Sequence, residues 1–267
     1  MSSNRVGFGR LRWPIACALA AVALTTAASA QRFGPSVGFE PATPRSRYDG
    51  KFALARLRYT TGPGGYYYYG LPAWAHGYPK SENNLLQILD AVTSVHPHTD
   101  GPVVLALDDP ELVKFPVAYM TEAGYWVMND KEALGFRNYL LKGGFVIFDD
   151  FRPPPRGGGG WENFASNMMR VLPGVKFFDL DESAPIFHCF FDIESFAIVP
   201  QDYDIGRPIF RGIYQDNDPN KRLMAIINFN TDVSNFWEFS GTGIKPVDES
   251  NEAFELGVNY IIYGLTH

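Results

Sequence analysis

The chain has 267 residues, 46% of them hydrophobic and 15% aromatic, with 23 basic against 29 acidic side chains. That length suits one α/β domain, or at most two, and is enough to bury a real core. The acidic balance argues against nucleic acid and anionic lipid as partners.

The N-terminus is set apart from the rest. Arg5, Arg10 and Arg12 precede an apolar run from Trp13 to Leu24, and Ala28-Ser29-Ala30 offers a small-residue cleavage site. Residues 1–30 therefore read as a secretory signal peptide of the general pathway, with an uncleaved anchor as the alternative. The apolar run is short for a membrane span. Loss of its three arginines leaves 20 basic against 29 acidic residues, a net charge of −9. Residues 31–50, with Pro35, Pro41 and Pro44 and no period, read as a linker. Residues 51–267 form the domain, which is expected in the periplasm or outside the cell. Cys189 is the one cysteine left after cleavage, so no intrachain disulfide is available to the mature chain.

Residues 52–60, FALARLRYT, predict a strand that stops at Gly62-Pro63-Gly64. The glycines and prolines of residues 62–78 forbid a regular element. A helix follows, with Ser81 as its expected cap and Leu85, Ile88, Leu89 and Val92 on one face. PVVLALDD, residues 102–109, is a continuous apolar run of the kind covered on both faces in a parallel sheet. A second helix is expected over residues 130–142, closed by Gly143-Gly144. FVIFDD, residues 145–150, predicts a strand, and residues 161–172 an amphipathic helix. VKFFDL, residues 175–180, and LMAIINFN, residues 223–230, predict two more strands. A last helix spans about residues 252–265. Residues 185–220 give no clear element. Strands alternating with helices predict a mostly parallel sheet with helices on both faces.

Three of these strands end in polar, mostly acidic residues: Asp108-Asp109, Asp149-Asp150, and Asn230-Thr231-Asp232. Parallel strands deliver their carboxyl ends to one edge, where open α/β sheets bind ligands. The same residues also have local uses. Asp109 before Pro110 fits a cap, Asp150 can orient the loop behind it, and Asn230 can shape a turn. Converging carboxylates need relief. Arg56, Arg58 and Arg152 are possible partners, and a divalent cation with oxygen ligands is the other solution.

Other chemistry is thinner. Cys189 lies between phenylalanines, and His188 beside it on an extended chain points the other way, so a nucleophilic cysteine is not expected. His188 has Asp192 as a partner and is kept as a candidate. Gly157 to Gly160 lack the lysine of a phosphate loop and read as a solvated hinge. Tyr66 to Tyr69 with Trp74 offer an aromatic shelf or a loop packed on its own domain. His96 and His98 read as solvated.

The blocks FALARLRYT, ENNLLQIL, LALDDPELVKFPVAYMTEAGY, YLLKGGFVIFDDF, WENF, RVLPG, PIFH, RLMAIINFNTD and LGVNYIIYGLTH, in this order, resemble the bacterial domain-of-unknown-function family 4159 over residues 50–267. The resemblance implies a flavodoxin-like sheet of the class I glutamine amidotransferase type and no agreed activity. It places Asp108, Asp109, Asp149, Asp150, His188, Asn230 and Asp232 inside recurring blocks, and RPPPRGGGG as an expansion of a shorter loop. Two functional readings follow. One is a non-catalytic ligand-binding or interaction module of the cell envelope, its partner a small molecule, a glycan or an envelope protein. The other is a hydrolase of an envelope polymer, with Asp108, Asp149, Asp150 and His188 as acid, base or metal ligands. A structural subunit is a third reading. No cofactor is expected beyond the divalent cation.

Overall fold

A computed structural model describes residues 48–67, 70–151, 160–196 and 207–267. The signal segment, nearly all of the linker, Tyr68, Tyr69, Arg152 and Gly157 to Gly159 lie outside the described residues.

The strands are β1 (Ala55–Arg58), β2 (Thr60–Thr61), β3 (Val103–Ala106), β4 (Val117–Thr121), β5 (Trp126–Val127), β6 (Phe145–Phe151), β7 (Phe178–Leu180), β8 (Ile209–Tyr214) and β9 (Leu223–Phe229). The helices are α1 (Lys80–Val92), α2 (Asp130–Leu141), α3 (Trp161–Val171), α4 (Val233–Glu238) and α5 (Val247–Thr266). The main sheet runs β3-β1-β4-β6-β9-β8-β7, while β2 and β5 form a separate antiparallel pair. The first five strands are mutually parallel. β8 and β7 add an antiparallel edge. Counted among the parallel strands alone, the order is 2-1-3-4-5, the flavodoxin-like doubly wound arrangement. Its direction of winding reverses between β1 and β4. The α/β architecture expected from the alternating pattern is therefore the one formed.

Side chains alternate across each strand and divide the core in two. Ala118, Met120, Val146, Phe148, Ala225 and Ile227 face α2 and α3, which supply Phe136, Leu140, Phe164 and Met168. Val117, Tyr119, Phe145, Ile147 and Ile226 face α1, α4 and α5, which supply Leu85, Leu89, Trp237 and Ile261. Both faces of the sheet are covered, so its strands read as nearly unbroken apolar runs.

Several boundaries differ from the sequence reading. β4, VAYMT, is fully buried at the middle of the sheet and was not foreseen. α4 also was not foreseen, and α5 begins at Val247, five residues ahead of the expected start. α1 begins at Lys80 after Pro79, so Ser81 is no N-cap. Its buried hydroxyl lies 2.8 Å from Glu82 Oε2 and 3.2 Å from the Gly77 carbonyl. α2 starts as the pattern predicts. Asn129 and Glu132 close a reciprocal capping box, and Gly143 continues past the helix end with φ 111°. No helix among the described residues is long and apolar enough to cross a membrane.

Candidate functional site

At the carboxyl ends of the adjacent strands β4, β6 and β9 a polar residue takes the left-handed region: Glu122 (φ 48°) and Asn230 (φ 61°) directly after β4 and β9, and Asp150 (φ 59°) next to last in β6. Such backbone costs about 1–3 kcal/mol per residue outside glycine and concentrates at functional sites. In β6 the left-handed residue coincides with a register shift against β9 between Phe148 and Phe151. A bulge of this kind re-aims side chains. It sends the two neighbouring aspartates of FVIFDD to different partners.

Asp149 is a scaffold carboxylate. It is fully buried and accepts four hydrogen bonds: from Tyr119 Oη (3.0 Å), Asn228 Nδ2 (3.0 Å), Val233 N (3.3 Å) and Ser234 N (2.9 Å). Two of these donors are the first amides of α4, so Asp149 ties β6 to that helix. Asn228 is fixed in turn by Tyr260, whose hydroxyl donates to Asn228 Oδ1 at 3.0 Å. Burial pushes the Asp149 carboxyl up to about 6, against the opposing pull of Asn228, Ser234 and Tyr119.

Asp150 faces His76 instead. His76 Nδ1 lies 3.0 Å from Asp150 Oδ2 and 3.3 Å from Glu122 Oε1. Tyr67 stacks on the imidazole with centroids 5.2 Å apart, and its hydroxyl donates to Glu122 Oε1. The hydroxyl of Tyr59 lies 2.9 and 2.8 Å from the carbonyls of Thr121 and Glu122, which holds the left-handed turn in place. Asp232 caps α4 by accepting from Asn235 N (3.0 Å) and from Ser234 Oγ (2.9 Å). Donor atoms of His76, Asp150 and Asp232 lie within 4.8 Å of one another, the one such triplet found among the described residues. Both aspartates are buried, while the His76 side chain keeps 29% of its exposure, so the cluster reaches solvent through its imidazole. Burial by itself lowers the His76 pKa. Asp150, Asp232 and Glu238 outweigh it and raise the ring to about 9.

The expected edge therefore exists, and Asp149, Asp150, Asn230 and Asp232 converge on it. The remaining expectations need correction. β3 is the outer strand of the sheet, three positions from β6. At about 4.8 Å per strand that puts its end roughly 14 Å away along the sheet. Asp108 there pairs with Lys131 of α2 at 2.7 Å, and that ammonium holds its carboxyl below the usual value. Asp109 accepts from the Glu111 amide at 2.9 Å, a local turn rather than the expected helix cap, since the short 3-10 helix Leu112–Lys114 has Glu111 as its N-cap. His188 is exposed at the end of a short 3-10 turn, where its ring contacts Asp192 and the Glu182 carbonyl. Cys189 hydrogen-bonds the Asn259 carbonyl at 3.1 Å, and burial lifts its thiol to about 11, which removes thiolate chemistry at neutral pH. Trp74 is buried in the core rather than on a shelf, and Tyr66 is exposed. Arg56 is buried and paired to Glu82 rather than to an edge aspartate.

Two central residues were not anticipated. Glu122 follows a strand that the sequence reading did not assign, although the rule of acidic strand ends applies to it. His76 sits in the glycine- and proline-rich loop behind β1, with no periodicity to mark it. Together the residues place a histidine and three carboxylates beside the point where the sheet reverses its winding. This defines a flavodoxin-like α/β protein with a His–carboxylate site on the carboxyl edge of its parallel strands.

The family model for a domain of unknown function, DUF4159, matches residues 53–265, and the chain belongs to that family. None of the curated proteins compared with the chain matches it.

Proposed function

We propose that the protein is a ligand-binding module, exported to the cell envelope, whose working site is this carboxyl edge. Its ligand includes a divalent transition-metal cation held by His76, Asp150 and Asp232. One observation carries the reading: a histidine nitrogen and two buried carboxylates from three separate segments approach within 4.8 Å. A mixed imidazole and carboxylate set suits Mn²⁺, Fe²⁺ or Zn²⁺ better than Mg²⁺ or Ca²⁺, which prefer oxygen alone. Glu122, at the same ring nitrogen, and Tyr67, stacked on the ring face, orient the imidazole. The test is calorimetric titration with Mn²⁺ and Zn²⁺. One saturable site that is lost in Asp150→Asn supports the reading. Absence of saturable binding, or equal binding by the variant, ends it.

A second reading is hydrolysis of an envelope polymer. It is favoured by the His76–Asp150 contact of 3.0 Å, an acid–base pair within hydrogen-bond reach at the same edge. A bound cation would lower the pKa of a water molecule there. Mn²⁺-dependent turnover of chromogenic ester or phosphodiester substrates, abolished in His76→Gln, would select this reading over binding alone.

A further inference from the structure

Arg56 of β1 and Glu82 of α1 form an ion pair with both side chains fully buried. Burying two charges gives little net stability. Apolar pairs of similar volume serve a core as well or better, so such a pair calls for another explanation. The guanidinium supplies one here. Its Nε donates to the Trp74 carbonyl at 2.8 Å and its Nη2 to the His76 carbonyl at 2.7 Å, while Nη1 meets Glu82. Its plane also lies over the Tyr119 ring at 4.9 Å, and Tyr119 is the residue that donates to Asp149. One side chain thus grips the loop that carries His76 and touches the strand framework that carries the aspartates. Within residues 70–79 the backbone closes local turns, with the His76 amide on the Ala73 carbonyl and the Tyr78 amide on the Ala75 carbonyl, and Arg56 adds the side-chain tie from that loop to the sheet.

We infer that Arg56 is a positioning residue: its buried fork, anchored by Glu82, preorganises His76 against Asp150 and Asp232 before any ligand arrives. The inference rests on reading the His76 cluster as the working site. Only arginine offers planar donors to two carbonyls and a carboxylate at once, and lysine presents a single point charge. A residue that merely stabilises the fold leaves the affinity of the folded protein untouched. A positioning residue does not, and loss of such support around a metal ligand costs about 10- to 100-fold in affinity.

The experiment compares wild type, Arg56→Lys and Glu82→Gln by thermal unfolding, Mn²⁺ titration and amide hydrogen exchange. Glu82→Gln keeps an acceptor for Arg56 and leaves both carbonyl contacts in place. The expected result is Mn²⁺ affinity lowered about tenfold in Arg56→Lys and within about threefold of wild type in Glu82→Gln, although both melt earlier. In wild type without metal, the amides of residues 75–78 should already exchange as slowly as buried loop amides. The inference is overturned if Arg56→Lys binds within about threefold of wild type. It is equally overturned if those amides exchange freely until Mn²⁺ is added. The exchange measurement uses wild type, so free exchange overturns the inference even if a variant does not fold. If wild type shows no Mn²⁺ binding, the metal reading fails, and faster exchange of residues 75–78 in Arg56→Lys than in Glu82→Gln supports the positioning, whereas equal rates overturn it.

Discussion

Asp149 and Asp150 are neighbours in sequence, yet they should respond to substitution for different reasons. Replacing Asp149 with alanine leaves four donors without their acceptor: Tyr119 Oη, Asn228 Nδ2, Val233 N and Ser234 N. Each buried unsatisfied donor costs about 1–3 kcal/mol, so the four together cost about 4–12 kcal/mol. Against this stands the relief of a buried charge. A carboxyl raised from 3.8 to about 6 carries a penalty of about 3 kcal/mol when ionised, at 1.36 kcal/mol per pH unit. The hydrogen-bond loss wins. Asp149→Ala should lose about 1–9 kcal/mol at pH 7, the difference of the two effects, against the ~5–15 kcal/mol that holds a domain together. Asp150→Asn should lose up to about 3 kcal/mol at pH 7, the stability carried by the His76 pKa that Asp150 raises, while asparagine tolerates the left-handed backbone. The assay is urea unfolding of both variants, with midpoints compared at constant slope. A loss below about 1 kcal/mol for Asp149→Ala would refute the assignment of Asp149 as scaffold.

Other predictions follow from the same geometry. The His76 pKa is raised in the folded protein from 6.5 to about 9, so its stabilising share is full below pH 6.5 and lost as pH rises through about 9. That rise is worth about 3 kcal/mol. Metal-free wild type should lose stability between pH 6.5 and 9.5 in urea titrations, and His76→Gln should not; parallel curves would contradict this. Asp232→Asn keeps a good helix cap, so it should unfold close to wild type while Mn²⁺ affinity falls about tenfold; unchanged calorimetric affinity would remove Asp232 from the ligand set. A Cβ on Gly135 would lie 2.7 Å from the Asp108 Cα and the Leu107 carbonyl, both backbone atoms that cannot step aside. Gly135→Ala should therefore cost about 2 kcal/mol in urea unfolding, and a neutral result would mean that α2 moves freely over the end of β3.

How much of this was legible in the sequence depends on the kind of signal. The apolar runs that became β3, β6 and β9 could be read because strands buried on both faces need no polar alternation. α1 announced itself through apolar residues at helical spacing and α2 through its Gly143-Gly144 stop, although Leu134 and Leu141 of α2 are exposed and Phe136 and Leu140 face the core. β4 was missed although it lies at the centre. Val-Ala-Tyr-Met-Thr is short, with Ala and Met between its strand-favouring Val, Tyr and Thr, and its burial on both faces leaves no polar alternation to mark it. With β4 unseen, Glu122 could not be recognised as a strand-end acid. α4 has six residues, too few for a periodicity, and it exists because Asp149 and Asp232 satisfy its first amides.

The site was half legible for a related reason. Carboxyl ends of parallel strands must share an edge, so Asp150, Asn230 and Asp232 were recoverable from pattern alone. Strand order is not written in local sequence, and Asp108 looked equivalent to Asp150 until β3 took the outer position. His76 reaches the cluster through long-range contacts, chiefly the grip of Arg56 on its carbonyl 20 residues away. No reading of the loop by itself supplies that contact. His188 showed the reverse. Its carboxylate partner, Asp192, was identified correctly, but the pair sits on an exposed turn, away from the edge strands.

Whether the carboxyl edge holds a cation is tested most directly by anomalous diffraction from crystals soaked in Mn²⁺. The account predicts one strong anomalous peak within about 2.0–2.5 Å of a His76 ring nitrogen and carboxylate oxygens of Asp150 and Asp232. Density maps with no peak there, or with Mn²⁺ only on exposed surface carboxylates, would contradict it.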